Sequence, residues 1–264
     1  MSVVGPQHIG CFNALGVWTL YRREMVRSFK IWVITIAAPA LQALMMAAVF
    51  ALVIASATSG FLSRDFLAFL LPGLVAAGVL ERAFAATAFS IIYDKLEGSI
   101  GDLLIAPMTP AELLLSYALS AVSGGLLAGI AVWLILVPFG LGAPVAPVAV
   151  LFFSAAGAVM IGLFAQIAAL WARKWDHISA VQTFVVVPFV FLSGVFFPLE
   201  RLSSLGQSLI HLNPLFYVVS GVRFGMTGVT EANPWMGAAV VLTVAAALGL
   251  ISHVLLARGY NLKS

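Results

Sequence analysis

Six long apolar stretches joined by short loops dominate this sequence of 264 residues. A helix needs about 20 apolar residues to cross a hydrocarbon layer roughly 30 Å thick, because each residue adds about 1.5 Å. The chain is 62% hydrophobic and 9% charged, whereas soluble domains carry roughly 25% charged residues. We therefore predict an all-α integral membrane protein with six transmembrane helices.

Apolar runs and helix breakers set the predicted spans within a single transmembrane domain covering residues 1–264. Prolines and glycines interrupt the longest apolar run and predict a tight hairpin between the third and fourth spans. These breakers are Pro138, Gly140, Gly142, Pro144 and Pro147. The predicted spans are residues 31–55, 66–93, 112–137, 145–172, 179–197 and 234–257.

Most basic residues fall on one side of this predicted topology. Of 13 Lys and Arg residues, one side holds Arg22, Arg23, Arg27, Lys30, Lys95, Arg173, Lys174, Arg258 and Lys263. The other side holds Arg64, Arg201 and Arg223, and Arg82 lies inside the second span. Because cytoplasmic loops carry an excess of Lys and Arg, both termini are predicted to be cytoplasmic. The net charge of +3 is then explained by orientation in a membrane, and no nucleic-acid partner is predicted.

Cysteine and histidine usage excludes several kinds of site. The single cysteine, Cys11, forms no internal disulfide, and no Cys/His spacing typical of a zinc or haem site occurs. We predict no metal site and no cofactor in this chain.

Residues 11–30 have the pattern of an amphipathic helix. At 100° per residue, Leu15 and Trp18 share one face, while Arg23 and Arg27 share the other. Such a helix is expected to lie in the cytoplasmic interface and to contact membrane lipid. The alternative is a charged linker next to the membrane.

The predicted cytoplasmic loop at residues 94–107 is acidic and amphipathic. Leu96, Ile100, Leu103 and Leu104 recur at helical spacing, which predicts a short helix with one apolar face. This helix suits a socket in a cytoplasmic partner, and lying flat on lipid fits its pattern equally well.

Glu81 and Arg82 lie inside the second predicted span. Each charged side chain costs roughly 2.5–3.5 kcal/mol there, and adjacent helical residues do not face one another. Each therefore needs a partner on another helix, across a dimer, or in water. One hypothesis places them on a translocation path or dimer seam; the other makes them a structural ion network, or lets Arg82 extend to the interface.

Residues 200–231 are too short for two full spans, yet they contain an apolar run broken by Pro214 and Gly221. Backbone at membrane depth must be satisfied by protein or by water. We predict an outer re-entrant segment made of half-helices, with an extracellular loop on the bilayer surface as the alternative.

Four segments together resemble one family of membrane proteins. They are LPG at 71–73, LLIAPMTP at 103–110, FLSGVFFPL at 191–199, and LNPLFY at 212–217 followed by Arg223 and Gly225. In order and spacing they resemble the permease subunits of type 2 ABC exporters, which include polysaccharide, nodulation-factor and drug export permeases.

This resemblance implies a homodimer, or a pair of related permeases, docked on two ATPase subunits that carry ATP and Mg. It implies ATPase coupling through Leu96, Glu97, Ile100, Gly101, Asp102, Leu103 and Leu104. For a translocation path or dimer seam we assign Glu81, Arg82, Tyr217 and Arg223. The chain has no G-x-x-x-x-G-K-[ST] loop, so it is predicted not to be an enzyme, with ATP hydrolysis in a separate subunit.

The predicted function is export of an amphipathic, lipid-linked or drug-like substrate across a bacterial inner membrane. One alternative is an ion-coupled secondary transporter, which typically has intramembrane acids and repeated halves. Only one such acid and no convincing repeat are present. A further alternative is an intramembrane enzyme, which requires polar groups that converge at one depth.

Overall fold

The computed structural model describes residues 12–56, 64–98, 107–229 and 231–261. These described residues form helices and no strand. Six helices are long and apolar enough to cross a membrane: Val33–Ile54, Phe66–Leu96, Pro110–Phe139, Pro147–Trp171, Trp175–Val195 and Pro234–Ala257. The predicted all-α fold with six spans is therefore confirmed.

The α-helices are labelled in chain order. They are α1 Ala14–Lys30, α2 Ala38–Ser56, α3 Arg64–Leu96, α4 Pro110–Leu136, α5 Pro147–Trp171, α6 Trp175–Val181, α7 Val187–Val190, α8 Ser204–His211, α9 Pro214–Thr227 and α10 Pro234–Ala257. π-Helical turns occupy Val33–Ala37, Gln182–Val186 and Phe191–Val195. The fifth span therefore consists of α6, a π-helical turn, α7 and a second π-helical turn, in that order.

Prolines explain two of these π-helical turns. Pro39 and Pro188 have no N–H, so the carbonyl four residues before each one loses its helical partner. The turns Val33–Ala37 and Gln182–Val186 contain those two carbonyls. The backbone widens locally instead of ending the span.

Helix α3 lies at the centre of the bundle. In the most apolar 18-residue stretch of this span, 78% of the residues are buried. In the corresponding stretches of the first and last spans, only 17% are buried. It packs against α2, α4, α5 and α9. Polar side chains on α3 are therefore positioned by neighbours on several sides.

Helix α9 is buried among α3, α5 and α10. The side chain of Asn213 caps its first turn, and Gly228, with φ 77°, ends it. Its 14 residues extend only about 21 Å, which is less than the thickness of the hydrocarbon layer. Its re-entry from the outer side, like the interfacial position of α1, stays a prediction.

Gly225 is expected to be intolerant of a side chain. A Cβ there would lie 2.6 Å from Val150 N and 3.1 Å from Ala146 O. Because backbone atoms cannot rotate away, Gly225→Ala should push α9 from α5 at a cost of about 1–3 kcal/mol. Thermal unfolding in detergent measures this cost. Gly249→Ala is the control, since its Cβ would meet only Leu163 Cδ1 at 3.6 Å, and equal stability of the two variants would contradict the prediction.

Candidate functional site

Asp94, near the end of α3, is the centre of an ion cluster with α1. Its Oδ2 accepts a hydrogen bond from Arg23 Nη2 at 2.5 Å, and its Oδ1 accepts one from Arg27 Nη2 at 2.9 Å. The two arginines lie one helical turn apart and therefore reach the same carboxylate. The Asp94 side chain is only 1% exposed, so the pairing compensates a buried charge.

Glu24 and Ser90 complete this cluster. Glu24 Oε1 accepts a hydrogen bond from Arg23 at 2.9 Å, and the Ser90 hydroxyl donates to Glu24 Oε2. Arg27 Nη1 donates to Ser90 Oγ at 2.9 Å. Burial lowers the pKa of Arg23, but the electrostatic effects of Tyr117, Asp94 and Glu24, with the hydrogen bond to Glu24, outweigh burial and raise that pKa overall. Two guanidinium groups thus face two carboxylates.

The charged face of α1 therefore contacts protein. Helical periodicity identifies that face, but not its partner on α3. The apolar residues Leu15, Trp18 and Phe29 of α1 are more than half exposed. Those exposed side chains are available to lipid.

Glu112 binds the start of α1 to the start of α4. Its Oε1 accepts a hydrogen bond from Asn13 N at 2.6 Å, and its Oε2 accepts one from Thr109 N at 2.7 Å. Asn13 Nδ2 also donates to Pro107 O at 3.1 Å. Helix α1 thus contacts the chain where the 94–107 loop leaves α3 and where it reaches α4.

Lys95 fastens the same end of α3 to α5. Its Nζ donates to the carbonyl oxygens of Ala169, Leu170 and Ala172 at 3.2, 2.9 and 2.7 Å. These carbonyls lie at the C-terminus of α5, where the helix dipole favours a cation. We call this end of the bundle, which also carries Arg173 and Arg258, the basic end.

Two of the predicted coupling residues lie in the described part of the chain. Leu96 is the last residue of α3 and is 47% exposed, and Glu97 follows in an exposed turn. The others lie outside the described residues, as does most of the predicted coupling helix: Ile100, Gly101, Asp102, Leu103 and Leu104.

A cavity of about 1150 Å³ opens between α1, α2, α3 and the fifth span, and both Glu81 and Arg82 line it. Arg82 is 9% exposed and donates from Nη2 to Ser28 Oγ on α1 at 2.9 Å. The Glu81 carboxylate makes no hydrogen bond or ion pair with the described residues. The structure thus brings these two predicted residues together at one cavity.

Arg223 of α9 lies elsewhere, at the opposite end of the bundle, and is 1% exposed. Its Nη1 donates to Glu231 Oε2 at 2.7 Å, and its Nη2 donates to Gly194 O at 2.8 Å. Its Nε donates to Phe69 O at 3.2 Å, and its Cζ lies 3.7 Å from the centroid of the Phe69 ring. One guanidinium therefore connects the start of α3, the end of the fifth span and the segment after α9.

Three of the resemblance segments meet around Arg223. A Cβ on Gly73 would lie 3.1 Å from Val195 O and 3.3 Å from Arg223 Nη2, so LPG packs directly on FLSGVFFPL. LNPLFY packs on FLSGVFFPL, because a Cβ on Gly194 would lie 3.4 Å from Phe216 Cδ2. Asn213 Nδ2 also donates to Phe189 O, just before that segment, at 2.7 Å. The shared residues therefore form a packed contact that holds α9 in the bundle.

Tyr217 does not join Glu81 and Arg82. It is 7% exposed, and its hydroxyl donates to His211 O at 3.2 Å. The four residues predicted for a path or seam thus fall into two places, the cavity and the packed contact around Arg223. Sequence reasoning missed Asp94 and Glu231 as ion-pair partners, for which the only sequence signal was opposite charge.

Most of the chain matches one family of known proteins. The profile of the family described as "ABC-2 type transporter" matches residues 16–227. The "Inner membrane transport permease YadH" of Escherichia coli (strain K12) is 31% identical over 249 residues, covering 93% of this chain and 96% of the relative. "Nodulation protein J" of Rhizobium leguminosarum bv. viciae is 24% identical over 204 residues, covering 74% of this chain and 75% of the relative.

Proposed function

The chain belongs to the ABC-2 type transporter family, and from this premise we propose that it is the membrane-spanning subunit of an ATP-driven exporter. One of its relatives is named an inner membrane transport permease, which supports a transport subunit rather than an enzyme. ABC-2 permeases work with ATP-binding subunits. In this proposal two such subunits bind ATP and Mg²⁺ and dock on a permease homodimer.

One observation carries the proposal: the 94–107 loop is bound to the rest of the bundle at both of its ends. Asp94 is held by α1, and Lys95 is held by the C-terminus of α5. Pro107 is held by Asn13, the residue that caps the N-terminus of α1. A displacement of the loop by a partner would therefore act on α1, α3, α4 and α5 together instead of being absorbed locally.

The orientation of the chain in this proposal rests on the distribution of charge. With the basic end in the cytoplasm, both termini are cytoplasmic and the ATPase subunits meet the 94–107 loop. The cavity lined by Glu81 and Arg82 then adjoins the cytoplasmic half of the membrane. We propose that an amphipathic, lipid-linked or drug-like cargo enters there and leaves near α9, which re-enters from the outer side of a bacterial inner membrane.

Co-purification of an ATPase tests this function. The protein is purified in mild detergent from its native membranes, and P-loop ATPase subunits are quantified by mass spectrometry. We expect about one ATPase per permease, and about tenfold less for the variant Glu97→Ala, Ile100→Ala, Leu104→Ala, because truncating central contacts weakens an interface by this order.

The matched control places alanines on the exposed face of α8, at Leu205 and Leu209, which are 77% and 61% exposed. This control should keep the ATPase. A wild-type protein that carries no ATPase would favour a secondary transporter or a membrane enzyme. A triple variant that keeps its ATPase would place the docking contact outside the loop.

A further inference from the structure

The charges that line the cavity are not balanced. Five lining side chains are basic and two are acidic: Arg22, Arg23, Arg27, Lys30 and Arg82, against Glu24 and Glu81. Arg23 and Arg27 are already paired with Asp94 and Glu24. The remaining basic groups form no ion pair with the described residues, which leaves an excess of positive charge facing the cavity.

Arg82 is the strongest sign of a missing anion. It is 9% exposed, and its one hydrogen bond to the described residues goes to the neutral hydroxyl of Ser28. A guanidinium carries five N–H donors, and a buried charge without a counter-ion is costly. Glu81 lines the same cavity, but its carboxylate forms no ion pair with Arg82. A bound anion would satisfy donors that the described chain leaves open.

Apolar side chains also line the cavity. Ile34, Phe89 and Trp175 line it, and the rings of Phe89 and Trp175 lie 5.5 Å apart. Arg82 lies 14 residues before the end of α3, about 21 Å from the basic end along the helix. The cavity volume of about 1150 Å³ exceeds that of common small-molecule pockets, which is about 300–1,000 Å³. The site therefore combines a buried cation with apolar walls at membrane depth.

We propose that this cavity binds an amphipathic anion, with a phosphate, sulfate or carboxylate head on Arg82 and an apolar tail against Ile34 and Phe89. Lys30 and Arg22, which line the same cavity, attract the head electrostatically. The inference rests on the proposed export function only where it identifies this ligand as cargo; binding itself rests on the cavity.

Fluorescence quenching of Trp175 tests the binding. The permease alone is placed in lipid nanodiscs containing phosphatidylglycerol or phosphatidylcholine with brominated acyl chains. The difference between the wild type and Trp175→Phe isolates the signal of this tryptophan. We expect brominated phosphatidylglycerol to occupy the site about tenfold more strongly than brominated phosphatidylcholine, because the choline of the second lipid adds a cation to a site that already has an excess of positive charge.

Variants distinguish the site from general attraction to the membrane. Arg82→Gln should abolish the preference for phosphatidylglycerol, and Arg82→Lys should keep part of it because the charge remains. Arg258→Gln is the control, since Arg258 is exposed at the basic end and does not line the cavity. Unchanged quenching by phosphatidylcholine and unchanged gel-filtration behaviour show that each variant is folded.

Two results would overturn the proposal. One is equal quenching by the two lipids in the wild type. The other is a preference for phosphatidylglycerol that survives Arg82→Gln.

A further arm separates a resident lipid from cargo. The complex with its ATPase is reconstituted with fluorescent phosphatidylglycerol, and transfer between leaflets is followed on addition of ATP. Transfer that requires Arg82 would identify the anion as cargo, whereas binding without transfer would identify it as a resident lipid. Because the quenching experiment uses the permease alone, it gives its answer even if no ATPase partner exists.

Discussion

Replacing Arg223 with methionine is expected to destabilise the protein by about 3–5 kcal/mol, the range for removing one partner of a buried ion pair. The substitution leaves the Glu231 carboxylate, whose side chain is 14% exposed, without its cation. It also leaves the carbonyl oxygens of Phe69 and Gly194 without their donor. Methionine keeps much of the apolar volume, so the loss comes mainly from charge and hydrogen bonding.

Thermal unfolding in detergent, followed by tryptophan fluorescence, measures this effect. A fall in Tm of about 10 °C corresponds to a loss of this size. Arg258→Met is the control, since this arginine is exposed at the other end of the bundle. Adding Glu231→Gln to Arg223→Met should recover part of the loss, because the uncompensated negative charge is then removed. A single variant as stable as the control would show that Glu231 reaches water instead.

The six spans were predictable because a membrane leaves the backbone few choices. A polar backbone group in hydrocarbon must be bonded within its own helix, so apolar length translates directly into a helix. Pro39 and Pro188 lie inside spans, but whether a proline gives a bend, a break or a π-helical turn depends on how neighbouring helices support the backbone. The local pattern of apolar residues therefore predicted the six spans, but not the π-helical turns within them.

For the packed contact around Arg223, the sequence predicted which segments matter but not that they contact one another. Resemblance selected the segments around Gly73, Gly194 and Asn213, but their convergence depends on how α3, the fifth span and α9 pack. Glu231 carried no local signal, since a single acid after a helix is ordinary. Contacts between side chains that are far apart in the sequence depend on how the helices pack, so local periodicity does not predict them.

The cavity was predicted in part. The cost of placing Glu81 and Arg82 in a span required partners or water, and both residues do line one cavity. Tyr217 does not reach it. The contribution of α1 to the cavity, including the Ser28 contact to Arg82, was missed because an isolated amphipathic pattern does not reveal which helix faces it.

Asp94→Asn is expected to uncouple the proposed exporter without releasing its ATPase. The side chain keeps its size but loses its charge, so Arg23 and Arg27 lose their shared anion while the loop residues beyond it are unchanged. Because the arginine side chains are 36% and 31% exposed, water replaces part of the lost interaction and we expect only about 1–3 kcal/mol of lost stability. The larger effect should be mechanical, since α1 is no longer bound to the base of the loop.

The measurement is ATPase activity of the reconstituted complex, with the isolated ATPase subtracted, beside the amount of ATPase that co-purifies. Asp94→Asn should lower the permease-dependent activity about tenfold, equivalent to about 1.4 kcal/mol of coupling, at unchanged ATPase content. Asp94→Glu keeps the charge and should retain more of the activity. Loss of the ATPase itself would make Asp94 part of the docking contact, and full activity would limit the ion cluster to holding α1 in place. The two readouts therefore separate docking from transmission at the residue where α1 and the loop meet.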